Sequence, residues 1–129
     1  MFLELKALLN PVEIARLTAL SREVKFVEGR ISNPANTTKD NLQADLADPK
    51  YAESTKIVAD AFSRSRAFLD FAMPRRIAPP LLCRYEPGMK YGAHADAATI
   101  ALAGGKLRSD SSCTVFISEP SSYEGGELV

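Results

Sequence analysis

The chain holds a single histidine, no tryptophan and only two cysteines in 129 residues. Cys83 and Cys113 stand far apart and belong to no Cys-x-x-Cys pair, so they make no disulfide framework. They read as small buried apolar residues of a reduced chain, which points to a cytoplasmic location. Net charge is also missing: 16 basic residues balance 16 acidic ones. The lysines and arginines are scattered rather than striped, which argues against nucleic-acid and polybasic membrane partners. No apolar run approaches the eighteen or so residues that span a bilayer. The start, Met1-Phe2-Leu3-Glu4-Leu5-Lys6, lacks the pattern of a signal peptide.

What remains is an ordinary globular composition, 46% apolar and 25% charged, able to form a core. The length favours one folding unit. Asn10-Pro11-Val12-Glu13 has a cap, a proline at the first helical position and an acidic third residue. Ile14, Leu17, Leu20, Ser21 and Val24 then follow at helical spacing. Lys25 to Ile31 reads as a strand weakened by Gly29, and Ser32 to Asp48 as an exposed loop. Asp48-Pro49 repeats the start signal. Tyr51, Val58, Ala61, Phe62, Phe68, Leu69 and Ala72 give a second amphipathic stripe, which Pro74 ends. After Pro79-Pro80, strands are expected at Leu81 to Tyr85 and Ser112 to Ile117, with another beginning at Glu127. Turns are expected at Gly88, Gly92, Gly104-Gly105 and Pro120 to Gly126. Helices first and strands later predict an α+β fold, with residues 1–80 a helical region and 81–129 a strand region.

The only histidine lies in the run Arg84-Tyr85-Glu86-Pro87-Gly88-Met89-Lys90-Tyr91-Gly92-Ala93-His94-Ala95-Asp96. On an extended segment His94 and Asp96 leave the same face, with Cα atoms roughly 6.6 Å apart at about 3.3 Å per residue. An imidazole and a carboxylate can converge from there on one cation at about 2.0–2.2 Å. With a second histidine they make the facial triad of non-haem Fe(II) oxygenases. That second histidine is absent up to Val129 and is expected beyond it. Taken alone, His94-Ala95-Asp96 also reads as a surface turn pair, and Tyr85 and Tyr91 as core or rim aromatics. Arg84 reads as solvated or ion-paired, and Arg108 with Asp110 as a loop brace.

Three motifs in order carry a resemblance. They are Arg84-Tyr85-x-x-Gly88-x-x-Tyr91-x-x-His94-x-Asp96, then Arg108-Ser109-Asp110-Ser111-Ser112-Cys113-Thr114-Val115-Phe116-Ile117, then Tyr123-Glu124-Gly125-Gly126-Glu127-Leu128. The chain resembles the PKHD-type hydroxylases, of the prolyl 4-hydroxylase-like branch of the Fe(II)/2-oxoglutarate dioxygenases. The resemblance implies N-terminal helices packed on a double-stranded β-helix, or jelly roll, incomplete in this chain. It implies Fe(II) (Fe2+), 2-oxoglutarate as co-substrate and L-ascorbate as helper reductant. His94 and Asp96 match the two proximal metal ligands, and Tyr85 and Tyr91 match aromatics lining the 2-oxoglutarate pocket. If the jelly roll holds, Phe116 should join Tyr85 and His94 on one concave surface.

The implied reaction hydroxylates a C–H bond of a small-molecule or peptidyl substrate and releases succinate and CO2. A homo-oligomer stays open. The third ligand and the basic anchor of 2-oxoglutarate are expected beyond Val129, so residues 1–129 alone should be inactive and should need further chain for stability. Two other readings remain at this point: a non-catalytic fragment or pseudoenzyme, and a cupin-like module holding another divalent metal.

Overall fold

The computed structural model describes residues 1–128. It begins with helix α1, Pro11–Glu23, whose start is built as the sequence signals. The Asn10 side chain accepts from Glu13 N at 2.9 Å, and Glu13 Oε2 accepts from Asn10 N at 2.9 Å, closing a reciprocal capping box. Helix α2, Pro49–Arg64, is capped by Asp48, whose Oδ1 accepts from Lys50 N at 2.9 Å. The other carboxylate oxygen accepts from Lys25 N, also at 2.9 Å. These two backbone donors hold the Asp48 carboxyl below its ordinary range, that of Lys25 foremost.

The second amphipathic stripe is broken. Ser65 closes α2, and its hydroxyl accepts from Phe68 N at 3.3 Å to start a separate helix α3, Arg66–Ala72. Met73 then adopts a left-handed conformation (φ 41°, ψ 52°) just before Pro74. The two long helices pack through Leu9, Leu17, Val58, Ala61 and Phe62. A second cluster of Val24, Ala44 and Tyr51 joins the end of α1 and the start of α2 to a sheet.

All the described strands are short and all their pairings antiparallel, giving a mixed helix-and-sheet, α+β architecture. β1 (Phe26–Glu28), β3 (Leu42–Ala44) and β4 (Cys83–Arg84) form one sheet with β3 in the middle. β2 (Lys39–Asp40) pairs with β5 (Lys90–Tyr91), placing Lys39 opposite Tyr91. β6 (Thr99–Leu102) and β7 (Gly105–Arg108) make a hairpin closed by Ala103 and Gly104. Thus both strands of the segment 39–44 pair across to 83–91, and this is what carries the histidine run onto the first part of the chain.

Several sequence expectations change here. The strand expected from Lys25 stops at Glu28, and Gly29–Ser32 turns as a 3-10 helix. The segment expected as an exposed loop supplies β2 and β3, with Lys39, Asn41, Gln43 and Ala44 buried. Its polar composition hid this, because the burial comes from partners distant in sequence, β1 upstream and β4 and β5 downstream. Ser112 to Ile117 and Glu127-Leu128 carry no strand ladder among the described residues. The alternation still sorts faces: Val115 and Ile117 pack on the helical cluster, while Phe116 is 53% exposed. Cys83 and Cys113 are exposed residues rather than core ones, although partial enclosure raises both thiol pKa values. Among the described residues no helix is long and apolar enough to cross a membrane.

Candidate metal centre

His94 and Asp96 follow directly on β5, in a segment with no ladder of its own. Gly92 makes the exit: its N–H donates to Thr38 O at 3.0 Å, and a Cβ there would lie 3.2 Å from Thr38 Cβ. The backbone therefore leaves β5 pressed against the 33–38 loop. His94 Nδ1 lies 2.7 Å from Gly92 O. A carbonyl oxygen only accepts, so Nδ1 is the nitrogen that carries a hydrogen here, and whenever the ring is neutral its lone pair is at Nε2.

Nε2 lies 3.4 Å from Asp96 Oδ1. The other carboxylate oxygen, Oδ2, accepts from the Ser112 hydroxyl at 2.6 Å. Each side chain thus has one donor atom tethered by the protein and one left facing its neighbour. Two lone-pair atoms facing each other repel unless a proton or a cation lies between them. This donor set suits a divalent transition metal, since ligating imidazoles ordinarily donate their other ring nitrogen to a carbonyl or carboxylate. Among the described residues no group of three or more His, Cys, Asp or Glu side chains that could hold a metal ion forms.

The sequence brings His94 and Asp96 together through their spacing. Ser112, 16 residues on, carries no signal that would have found it. Tyr91 lies flat on the imidazole, ring centroids 3.7 Å apart and planes within 5°. Its hydroxyl accepts from Asn36 Nδ2 at 3.3 Å, and Lys39 Nζ sits 5.5 Å from its ring centroid. Beside His94 an open depression is walled by Asn33, Asn36, Thr38 and Ala93.

Tyr85 and Phe116 are not among the walls of that depression. Tyr85 is 49% exposed, and its hydroxyl accepts from the buried Asn41 Nδ2 at 2.9 Å. Burial of the phenol raises its pKa, against the opposing effect of Asn41, so it stays protonated and keeps a hydrogen to donate. Arg84 is neither solvated nor ion-paired: its guanidinium lies 4.1 Å from the Phe26 ring centroid and donates to Ser21 O, tying β4 to α1. Arg108 and Asp110 form an ion pair at 2.8 Å.

No family model matches the chain. It is 47% identical over 125 residues to a PKHD-type hydroxylase of Sphingopyxis alaskensis, covering 97% of this chain and 57% of that protein. It is 38% identical over 131 residues to a PKHD-type hydroxylase of Thioalkalivibrio sulfidiphilus, covering 100% and 58%. With a PKHD-type hydroxylase of Klebsiella pneumoniae the identity is 40% over 124 residues, covering 94% and 55%. The chain therefore spans little more than half the length of these relatives.

Proposed function

This chain belongs to the PKHD-type hydroxylase family, and from that premise we propose that it forms part of an Fe(II)- and 2-oxoglutarate-dependent dioxygenase. The overall reaction would couple oxidation of 2-oxoglutarate to succinate and CO2 with insertion of one oxygen of O2 into a substrate C–H bond. The substrate is a small molecule or a peptidyl group. L-ascorbate would serve as reductant, and the reduced cytoplasm fits both the metal and the two free thiols. On this reading the small antiparallel sheets belong to a jelly roll.

The observation that carries the proposal is the paired geometry of His94 Nε2 and Asp96 Oδ1, 3.4 Å apart, each with its second polar atom already engaged. These two residues would hold Fe(II), which with 2-oxoglutarate and O2 supplies the oxidising chemistry. The protein's own part is orientation. Gly92 O fixes the histidine tautomer. Ser112 keeps Asp96 Oδ2 occupied, leaving Oδ1 to bind. The Tyr85 hydroxyl, accepting from Asn41, is left with its hydrogen free for a carboxylate such as that of 2-oxoglutarate.

The test is 2-oxoglutarate turnover with Fe(II) and ascorbate. In a full-length form, His94→Ala should abolish succinate formation while the thermal transition stays in place, since the side chain touches no core cluster. Undiminished succinate from the variant would refute the assignment.

A further inference from the structure

Tyr91 is engaged on its ring face as well as at its hydroxyl, and the two engagements imply different jobs. The ring covers His94 at 3.7 Å in an almost parallel stack. The hydroxyl is turned to the 33–38 loop, where Asn36 donates to it. We propose that Tyr91 is a positioning residue for His94, fixing the plane of the imidazole by stacking rather than contacting a co-substrate through its hydroxyl. This role rests on the metal reading given above.

The ring is itself held firmly. Its backbone sits in β5 opposite Lys39, and the Lys39 ammonium lies 5.5 Å from the ring centroid. Lys39 is buried, with its nitrogen donating to Ser32 Oγ at 2.7 Å. Asn36 is braced in turn, since its Oδ1 accepts from both Thr38 N (2.9 Å) and Thr38 Oγ1 (2.7 Å). A fixed phenol plane therefore backs an imidazole whose remaining freedom is rotation about its side-chain bonds. The Gly92 carbonyl takes Nδ1, the tyrosine takes the ring face, and only Nε2 is left unengaged beside Asp96. Ordering a ligand before the metal arrives removes a conformational cost from binding, and loss of such outer partners characteristically weakens metal affinity.

In a full-length form the His94 imidazole signals are assigned by their loss from the NMR spectrum of His94→Ala. In the metal-free protein the stack should shift the His94 ring protons upfield. That shift should persist in Tyr91→Phe and Tyr91→Trp and vanish in Tyr91→Leu. Co(II) titration, followed by absorbance, should then show affinity unchanged in the aromatic variants and about tenfold or more weaker in Tyr91→Leu. Weakened binding in Tyr91→Phe would overturn the proposal by making the hydroxyl the important part. Wild-type affinity in Tyr91→Leu would overturn it too, yet leave the His94–Asp96 site standing. Failure of the wild-type protein to bind Co(II), with the upfield signals present, would overturn the metal reading and this role together. Should Tyr91→Leu not fold, the two aromatic variants still decide, because both must keep the upfield shift and the affinity.

Discussion

Gly29 shows how one backbone position reaches the neighbourhood of the histidine run. A Cβ there would lie 1.7 Å from Asn41 Oδ1, and Gly29 N donates to Asn41 O at 2.8 Å. Asn41 is 3% exposed and holds the Tyr85 hydroxyl, so its side chain has nowhere to retreat without releasing the tyrosine. Gly29→Ala should therefore destabilise the protein by about 1–3 kcal/mol, the usual range for overpacking. It should also free the Tyr85 ring, visible as changed ring signals by NMR; an unchanged melting temperature would count against this packing. In the sequence Gly29 only looks like a blemish in a strand. The His94–Asp96 pair was legible because its members are two residues apart. Gly29–Asn41, Asn41–Tyr85 and Asn36–Tyr91 were not, because each joins residues 12 to 55 positions apart through folds no local pattern encodes.

Among the elements, α1 shows what local signals decide. Its capping box was readable from Asn10, Pro11 and Glu13, and the structure adds an outside partner: Arg64 of α2 donates to Glu13 Oε2 at 2.5 Å. That bond is the leading reason the Glu13 carboxyl sits below its ordinary range, followed by the Asn10 backbone N–H. Asn10→Ala should cost about 1 kcal/mol, read as a lowered denaturation midpoint with an unchanged slope. A carboxyl whose folded pKa is depressed stabilises the fold above its unfolded pKa and loses that contribution as pH falls through the folded value. The deficit of Asn10→Ala relative to wild type should stay constant on acidification, since Glu13 protonation removes the backbone-accepting half of the box from both proteins alike, while the mutation deletes only the Asn10 side-chain half. A deficit that vanished as Glu13 protonates would contradict this division of the box into two halves. The strands were harder to read. β2, β4 and β5 are two residues each, too short for alternation to register. A turn was expected at Gly104-Gly105 and lies one residue earlier, at Ala103-Gly104, with Gly105 already in β7; its flanking strands were not visible, since Thr99–Leu102 has no alternating polarity. At Ser112–Ile117 alternation sorted the faces correctly, but a ladder also needs a partner.

For the molecule as a whole, the α+β class agrees with the structure, but the expected order of helices first and strands later does not, since β1, β2 and β3 lie between α1 and α2. What order could not show is that β2 and β3 reach forward to β5 and β4, so that the loop at 33–38 and the histidine run come to share one surface. On the proposed function, His94 and Asp96 of that surface would be iron ligands. Anaerobic equilibrium dialysis against Fe(II) tests it most directly, with wild type, His94→Ala and Asp96→Ala compared at equal, verified folding. In a full-length form, one saturable Fe(II) should bind per wild-type chain and be lost in both variants. Fe(II) binding of equal stoichiometry and affinity in all three proteins would contradict it.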